Sequence, residues 1–221
     1  MNKLHFLPVA VSLGLLSGCN GFTRPLPPGN DYAGSQAIFS GLPAPMVFMG
    51  TATQWNDEYA VTAAHIPFTD NVVHRCSTGC DLVFIKRKAK GPVPQWREPV
   101  PGEEVVAVGY SGAMLVPVQG TGHAKSTRVL LEDKSSQVAY ATHDAPLTVG
   151  MSGGPLYGAD KAVLGINLGF GLDYQWYSDL DDPNSIGHSK RNSYYLSTDV
   201  IRAEWELFQR SLPQNQITQA H

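Results

Sequence analysis

Few charges, few cysteines and no long hydrophobic run characterise this sequence. Only 16% of the 221 residues are charged, and 16 basic residues stand against 19 acidic ones, a net charge of −3. Nucleic-acid-binding domains carry a clear excess of Lys and Arg, so this balance argues against nucleic acid as a partner. The chain has three cysteines and shows no internal repeat.

The longest apolar stretch follows Lys3 and ends at Leu16, which is too short to span a bilayer comfortably and is typical of a signal peptide. It runs into Leu16-Ser17-Gly18-Cys19. This sequence resembles the lipobox of bacterial lipoproteins, in which the cysteine is lipidated and becomes the first mature residue. The resemblance implies that residues 1–18 are removed, leaving a mature charge of 15 − 19 = −4. The alternative is an ordinary secreted protein with an incidental cysteine.

The remaining chain divides by composition into three parts. Residues 19–34 are rich in Pro and Gly without periodicity, which predicts a flexible tether behind the lipidated Cys19. Residues 35–212 are long enough for one sizeable core or for two small barrels counted as one domain. Residues 213–221 are polar and are predicted to be a frayed tail.

Short β-branched and aromatic runs separated by turn residues predict an all-β barrel or sandwich. One helix is predicted from Thr198 or Asp199 to about Ser211, with Ser197 or Thr198 as its cap. Its apolar residues fall on one stripe at spacings of three and four, and residues 169–191 are predicted to be a long surface loop. The candidate strands are 37–39, 46–49, 59–62, 82–85, 104–108, 114–118, 128–131, 137–140, 163–168 and 193–196.

Residues 150–155 read Gly-Met-Ser-Gly-Gly-Pro. Glycine allows tight turns and close approach of a substrate, and a serine on such a turn suits a nucleophile surrounded by backbone N–H groups. Gly, Ser and Pro also mark ordinary turns, so this motif alone leaves both interpretations open.

Two further motifs supply the partners that a nucleophilic serine needs, a base and a carboxylate that orients it. His65 ends the segment Tyr-Ala-Val-Thr-Ala-Ala-His, in which small residues let its backbone pack closely. Asp81 opens the apolar segment Asp-Leu-Val-Phe-Ile-Lys, an unusual place for a surface charge, and a buried Asp facing a histidine fits it better.

The three motifs, in the order His, Asp, Ser, resemble the trypsin-like (chymotrypsin-fold) serine peptidases, and more closely their compact bacterial branches. The resemblance covers roughly residues 36–208 and implies two six-stranded antiparallel β-barrels, about 35–98 and 99–197, followed by a C-terminal helix at 198–212. It implies that Ser152 is the nucleophile and His65 the general base and then acid. Asp81 would orient His65, and the N–H groups of Gly150 and Ser152 would form the oxyanion hole.

The gap of 16 residues between His65 and Asp81 is much shorter than is usual in that family, which predicts a trimmed first barrel. Asp70 therefore stays as an alternative third member of the triad. Cys76 and Cys80 lie in the same gap, and an exported compartment favours a disulfide between them that fixes where Asp81 begins. A metal site using His74 with the two cysteines is the competing interpretation.

Met151 stands where many animal members of the family carry an acid that pairs with a newly cut N-terminal amine. Met151 cannot form that ion pair, which predicts that the chain lacks such a zymogen switch. The resemblance places the first substrate pocket at Leu147, Thr148, Asn167, Leu168, Gly169 and Phe170. No acid is evident there to bind Lys or Arg, so a small or apolar substrate side chain is expected.

Together these patterns predict a lipid-anchored serine endopeptidase that needs no cofactor and acts on protein or peptide substrates. Asn20, which follows Cys19, favours by resemblance the outer membrane of a Gram-negative envelope, facing the periplasm or the surface. The alternative is a catalytically inactive lipoprotein of the same fold that acts as a binding module in the envelope.

Overall fold

A computed structural model describes residues 22–30, 32–41, 48–130, 138–171, 177–179, 186–187 and 192–212. These contain fourteen β-strands and one α-helix. The strands are β1 (Arg24–Pro25), β2 (Ser35–Ser40), β3 (Phe48–Gln54), β4 (Tyr59–Thr62), β5 (Val72–Arg75), β6 (Val83–Lys86), β7 (Glu104–Tyr110), β8 (Pro117–Val129), β9 (Tyr140–His143), β10 (Pro155–Gly158), β11 (Val163–Gly171), β12 (Tyr177–Asp179), β13 (Ile186–Gly187) and β14 (Asn192–Ser197), and the helix is α1 (Thr198–Ser211).

The first half of the domain is a five-stranded antiparallel sheet in the order β2-β3-β4-β6-β5. The resemblance implied six strands here, and the described part of this half has one fewer, in keeping with the predicted trimming. The seven residues 76–82 connect β5 to β6, and the Cys76–Cys80 bridge lies within this short connection.

The second half closes into a six-stranded antiparallel barrel in the order β8-β7-β10-β11-β14-β9, because β9 pairs again with β8. The 13-residue strand β8 makes this closure possible: its first part pairs with β7 and its last part with β9. Small and branched side chains fill the interior, among them Val105, Ala107 and Leu164, all fully or almost fully buried. The predicted all-β, chymotrypsin-like fold is confirmed.

Helix α1 agrees with the predicted bounds and closes the first sheet. Its residues Ile201, Trp205 and Phe208 are buried, and the Trp205 ring lies 5.3 Å from that of Phe84 on β6. Ser197 occupies the N-cap position without a side-chain capping bond, and its hydroxyl accepts a hydrogen bond from Arg128. Hydrophobic burial along one stripe, as the spacing predicted, therefore holds the helix in place.

The segment expected to be a free tether is in fact docked on the second barrel from residue 24 onward. Arg24 and Pro25 pair with β8, and the N–H of Leu26 donates to the carbonyl of Pro117 at 2.9 Å. The Tyr32 ring packs at 4.8 Å from that of Tyr157. The Pro-rich segment is extended, so it can add to the free edge of β8 while its few apolar side chains find cover. Residues 19–21 and 213–221 lie outside the described residues.

Two other expectations need correction. Residues 114–116, predicted as part of a strand, form a turn, and β8 begins only at Pro117. The region 169–191, predicted as a loop, contains the end of β11 together with β12 and β13, and β12 pairs with the end of β8. No helix in the described ranges is long and apolar enough to cross a membrane.

Candidate active site

The pairing of β4 with β6 brings His65 and Asp81 together. Thr62, the last residue of β4, lies opposite Val83, the first of β6, so the residues that follow one strand meet those that precede the other. The Nδ1 atom of His65 lies 2.6 Å from Oδ2 of Asp81, and the backbone N–H of His65 donates to Oδ1 at 2.8 Å. Asp81 is 5% exposed, whereas 45% of the His65 side chain is exposed. A buried carboxylate thus holds His65 both at its ring and at its backbone.

Asp70, the alternative to Asp81, is exposed and lies in the turn before β5. The structure brings Asp81, and not Asp70, to His65. The predicted disulfide Cys76–Cys80 is present and closes a loop of three residues directly before Asp81. His74, the third member of the competing metal site, instead hydrogen-bonds Glu204 at 2.9 Å.

Helix α1 holds the disulfide loop through Glu204, which is 3% exposed. Its Oε2 accepts hydrogen bonds from Nε2 of His74 and from the N–H of Ser77, both at 2.9 Å, and its Oε1 accepts from the Ser77 hydroxyl at 2.7 Å. Burial opposes the ionisation of Glu204, but the hydrogen bonds from Ser77 and His74 outweigh it and lower the pKa of this carboxyl. The charged carboxylate therefore joins α1 to the loop that leads into Asp81.

Ser152 lies on a tight turn between β9 and β10 and lines the same cavity as His65, a space of about 540 Å³. Gly150 and Gly153 on either side of it have φ angles of +97° and +81°, a backbone conformation that other residues rarely adopt. The Ser152 hydroxyl donates to the carbonyl of Leu168 at 3.1 Å. No bond from it to His65 is formed within the described residues, and such contacts are often unformed until substrate binds.

The two peptide groups that contain the predicted oxyanion-hole donors have their carbonyls engaged in hydrogen bonds. The carbonyl of Val149 accepts from the N–H of Gly112 at 2.8 Å, and the carbonyl of Met151 accepts from the N–H of Gly154 at 2.9 Å. In a trans peptide the C=O and the following N–H point in opposite directions, so the N–H groups of Gly150 and Ser152 face away from these partners. In the described part of the chain, neither N–H has an intramolecular acceptor.

Comparison with known proteins decides the family. A family model for the trypsin-like peptidase domain matches residues 50–166, which is 117 of 221 residues and includes His65, Asp81 and Ser152. The chain belongs to the trypsin-like peptidase family. Peptidase is therefore the activity class that its family implies.

Two solved structures illustrate the likeness of this trypsin-like peptidase to others. The active form of the Rv3671c protease from Mycobacterium tuberculosis has a TM-score of 0.58 at 17% identity, covering 79% of this chain and 80% of the other. A serine endoprotease from Yersinia pestis has a TM-score of 0.57 at 20% identity, covering 81% of this chain and 64% of the other. Such identities establish the shared fold alone. No curated protein sequence matches.

Thr51 on β3, which sequence reasoning missed, joins the first sheet to residues 150–154, which we call the nucleophile turn after the role predicted for Ser152. The fully buried Thr51 hydroxyl donates to the carbonyl of Gly150 at 2.8 Å and accepts from the N–H of Tyr110 at 3.0 Å. Its N–H donates to the carbonyl of Ser152 at 2.9 Å. Thr53 repeats the pattern, with its hydroxyl on the carbonyl of Gly153 at 2.8 Å. The alternation Thr-Ala-Thr in a buried strand is the signal that could have pointed to these residues.

The cavity beside Ser152 includes part of the predicted substrate pocket. Leu147, Thr148, Gly169 and Phe170 line it, as expected from the resemblance. Asn167 and Leu168 were expected there too, but their side chains are buried elsewhere. The carbonyl of Leu168 accepts the hydrogen bond from the Ser152 hydroxyl. None of the residues that line this cavity is acidic, and the remaining ones are Met49, His65, Ile66, Pro67, Val149, Gly150, Met151 and Ser152.

The Asn167 side chain is buried because it bonds the backbone that follows Ser152. Its side-chain NH₂ donates to the carbonyls of Gly154 and Pro155, each at 3.0 Å, and its Oδ1 accepts from Nε2 of His143 at 3.0 Å. Burial lowers the pKa of His143 from its ordinary 6.5 to about 4, so His143 is neutral at neutral pH. These contacts hold the turn between Ser152 and β10 against the interior of the second barrel.

Proposed function

We propose that this peptidase is a lipid-anchored serine endopeptidase of the bacterial envelope, with Ser152, His65 and Asp81 as its triad. The observation that carries the proposal is the double contact between buried Asp81 and His65 in the cavity that Ser152 lines. It needs no cofactor for this chemistry, because the nucleophile, the base and the hydrogen-bond donors are all protein groups.

The geometry of His65 assigns its two ring nitrogens. A carboxylate accepts hydrogen bonds, so the Nδ1 atom beside Asp81 carries the proton and Nε2 is left as the base. Nε2 takes the proton of the Ser152 hydroxyl while Oγ attacks the substrate carbonyl, and the imidazolium that forms is stabilised by Asp81. The N–H groups of Gly150 and Ser152 stabilise the oxyanion of the tetrahedral intermediate.

Collapse of this intermediate breaks the peptide bond, and His65 gives its proton to the leaving amine. The acyl-enzyme on Ser152 is then hydrolysed by a water that His65 activates in the same way. The apolar lining of the cavity supports cleavage after a small or apolar side chain. Cys19, lipidated by resemblance to the lipobox, would hold the enzyme at the outer membrane facing the periplasm or the surface.

A fluorophosphonate probe tests the triad directly, since it reacts only with an activated serine. We expect the wild type to be labelled, Ser152→Ala to be unlabelled, and Asp81→Asn to lose about 10⁴-fold in peptide hydrolysis because His65 loses the partner that orients it. Asp70→Asn is the matched control and should keep its activity. A folded wild type that is neither labelled nor hydrolytic would favour the alternative function of an inactive binding module.

The anchor is tested separately, by mass spectrometry of the mature N-terminal peptide and by fractionation of envelope membranes. We expect a diacylglyceryl and amide-linked acyl group on Cys19, and release of a Cys19→Ser variant from the outer-membrane fraction. An unmodified Cys19 in an active enzyme would refute the anchoring while leaving the peptidase assignment intact.

A further inference from the structure

One apolar turn of the second barrel is exposed without an evident structural need. Met114, Leu115 and Val116, which we call the apolar turn, connect β7 to β8 and are 49%, 49% and 38% exposed. They are three consecutive large apolar side chains on the surface of a domain that buries comparable side chains elsewhere. Contiguous exposed apolar residues commonly mark an interaction site.

The turn is rigidly built around Ser111, which is 2% exposed. The Ser111 hydroxyl accepts from the N–H of Met114 at 3.2 Å, and its carbonyl accepts from the N–H of Leu115 at 2.8 Å. Its own N–H donates to the carbonyl of Val116 at 2.9 Å. Leu115 has a φ of +55°, a conformation that is unfavourable for a branched side chain. The fold therefore keeps these side chains exposed although the backbone at Leu115 is strained.

The stretch of chain that contains the turn is uncharged. Residues 105–124 contain no Asp, Glu, Lys or Arg. The N–H of Gly112 donates to the carbonyl of Val149, which is 75% exposed and lines the cavity of Ser152. The apolar turn is thus attached to the rim of the active-site cavity.

The strand β1 runs antiparallel to the start of β8, with its C-terminal end beside this turn and its N-terminal residue Arg24 opposite Gln119. The N–H of Leu26 bonds the carbonyl of Pro117, the residue directly after the turn, and Phe22 is 73% exposed just before β1. Cys19 precedes Arg24 by five residues, so even a fully extended chain separates the two by no more than about 18 Å. Arg24 is exposed, as suits a surface that faces anionic lipid headgroups.

We propose that the apolar turn and Phe22 rest in the lipid surface of the membrane and hold the active-site cleft beside it. The inference rests on the lipid anchor proposed for Cys19. Because the anchor keeps β1 within a short distance of the headgroups, the apolar turn beside β1 gains more from burial in the interface than from exposure to water. Polypeptide would then reach Ser152 along the membrane surface, which favours substrates that are themselves membrane-attached.

The test uses the full mature protein in vesicles of phosphatidylethanolamine and phosphatidylglycerol. Leu115→Cys carries an environment-sensitive fluorophore, and the matched control is Leu207→Cys, a 39% exposed leucine on α1. Cys76 and Cys80 are paired and Cys19 is acylated, so the new thiol is the reactive one. We expect emission at position 115 to shift to shorter wavelength and to be quenched severalfold by lipids with a nitroxide near the headgroup, and position 207 to show neither effect.

Equal emission from both positions, with acylation of Cys19 verified by mass, would overturn the proposal and leave the anchor standing. An unacylated Cys19 would overturn the anchor and this inference together. A Leu115→Asp variant tests the remaining alternative, that the apolar turn is a subsite for the substrate. We expect it to hydrolyse soluble peptides with unchanged KM, and a severalfold rise in KM would assign the turn to peptide binding instead of to the membrane.

Discussion

Replacement of Thr51 by Val tests whether the first sheet holds the nucleophile turn in its working shape. Valine has nearly the same shape as threonine, so the change removes the hydroxyl without opening a cavity. The hydroxyl bonds Gly150 and Tyr110 in a fully buried position, and both lose their partner in the variant. The backbone bond from Thr51 to Ser152 remains.

The expected magnitude follows from these two contacts. Two lost hydrogen bonds that leave buried groups unsatisfied cost about 2–4 kcal/mol of the free energy of unfolding. For a domain of this size that corresponds to a fall of about 5–15 °C in the thermal midpoint. Gly150 also supplies an N–H of the proposed oxyanion hole, and its carbonyl is released in the variant. A misplaced donor at this point should lower kcat by about 10- to 100-fold while KM changes little.

The assay compares Thr51→Val with Thr142→Val, both at fully buried threonines. The Thr142 hydroxyl donates to the carbonyl of Thr127 at 2.8 Å and also contacts its hydroxyl, so it joins β9 to β8 and not β3 to the nucleophile turn. Both variants should lose stability, measured by urea unfolding, and Thr51→Val alone should lose kcat. Equal kcat values at a temperature where both are folded would refute the role assigned to Thr51.

Three further predictions concern buried groups around the site. Because burial lowers the pKa of His143 from 6.5 to about 4, the unfolded chain binds the extra proton first, and stability should fall by about 3 kcal/mol as pH drops from 6.5 to 4. His143→Gln should flatten that slope in acid unfolding curves, and an unchanged slope would contradict the assignment. Glu204→Gln should lower the free energy of unfolding in urea by about 2–3 kcal/mol, because His74 and the disulfide loop lose a charged acceptor. An unchanged free energy of unfolding would show that the disulfide loop does not depend on Glu204. Cys76→Ser should cost about 2 kcal/mol, the value for so short a closed loop, and should lower kcat as well if the disulfide with Cys80 positions the acid of the triad.

The contacts of two predicted site residues follow from local signatures in the sequence. A serine between glycines needs the positive φ angles found at Gly150 and Gly153, and an acid before an apolar strand must be paired when buried, as Asp81 is. The helix could also be predicted from the sequence, because its apolar residues recur locally at spacings of three and four. Its bounds, Thr198–Ser211, agree with the prediction.

Sequence reasoning failed where a residue's role depends on a partner distant in the chain. Asn167 was assigned to the substrate pocket, yet it turns inward because His143 and the carbonyls after Ser152 offer it partners there. The Pro-rich segment before residue 35 was expected to be free, but the unpaired edge of β8 accepts it. Neither the edge nor the buried partners can be seen from local composition.

The sequence by itself determined the chemical groups, their order and the all-β character, because these follow from residue type and short-range spacing. The tertiary structure alone decided which acid faces His65, how Thr51 reaches the nucleophile turn 99 residues away in the chain, and how Glu204 secures the loop before Asp81. Such contacts are set by strand register and by the docking of α1. Both are global properties, and a shift of one residue in the register of β3 would turn the Thr51 side chain to the opposite face of its sheet.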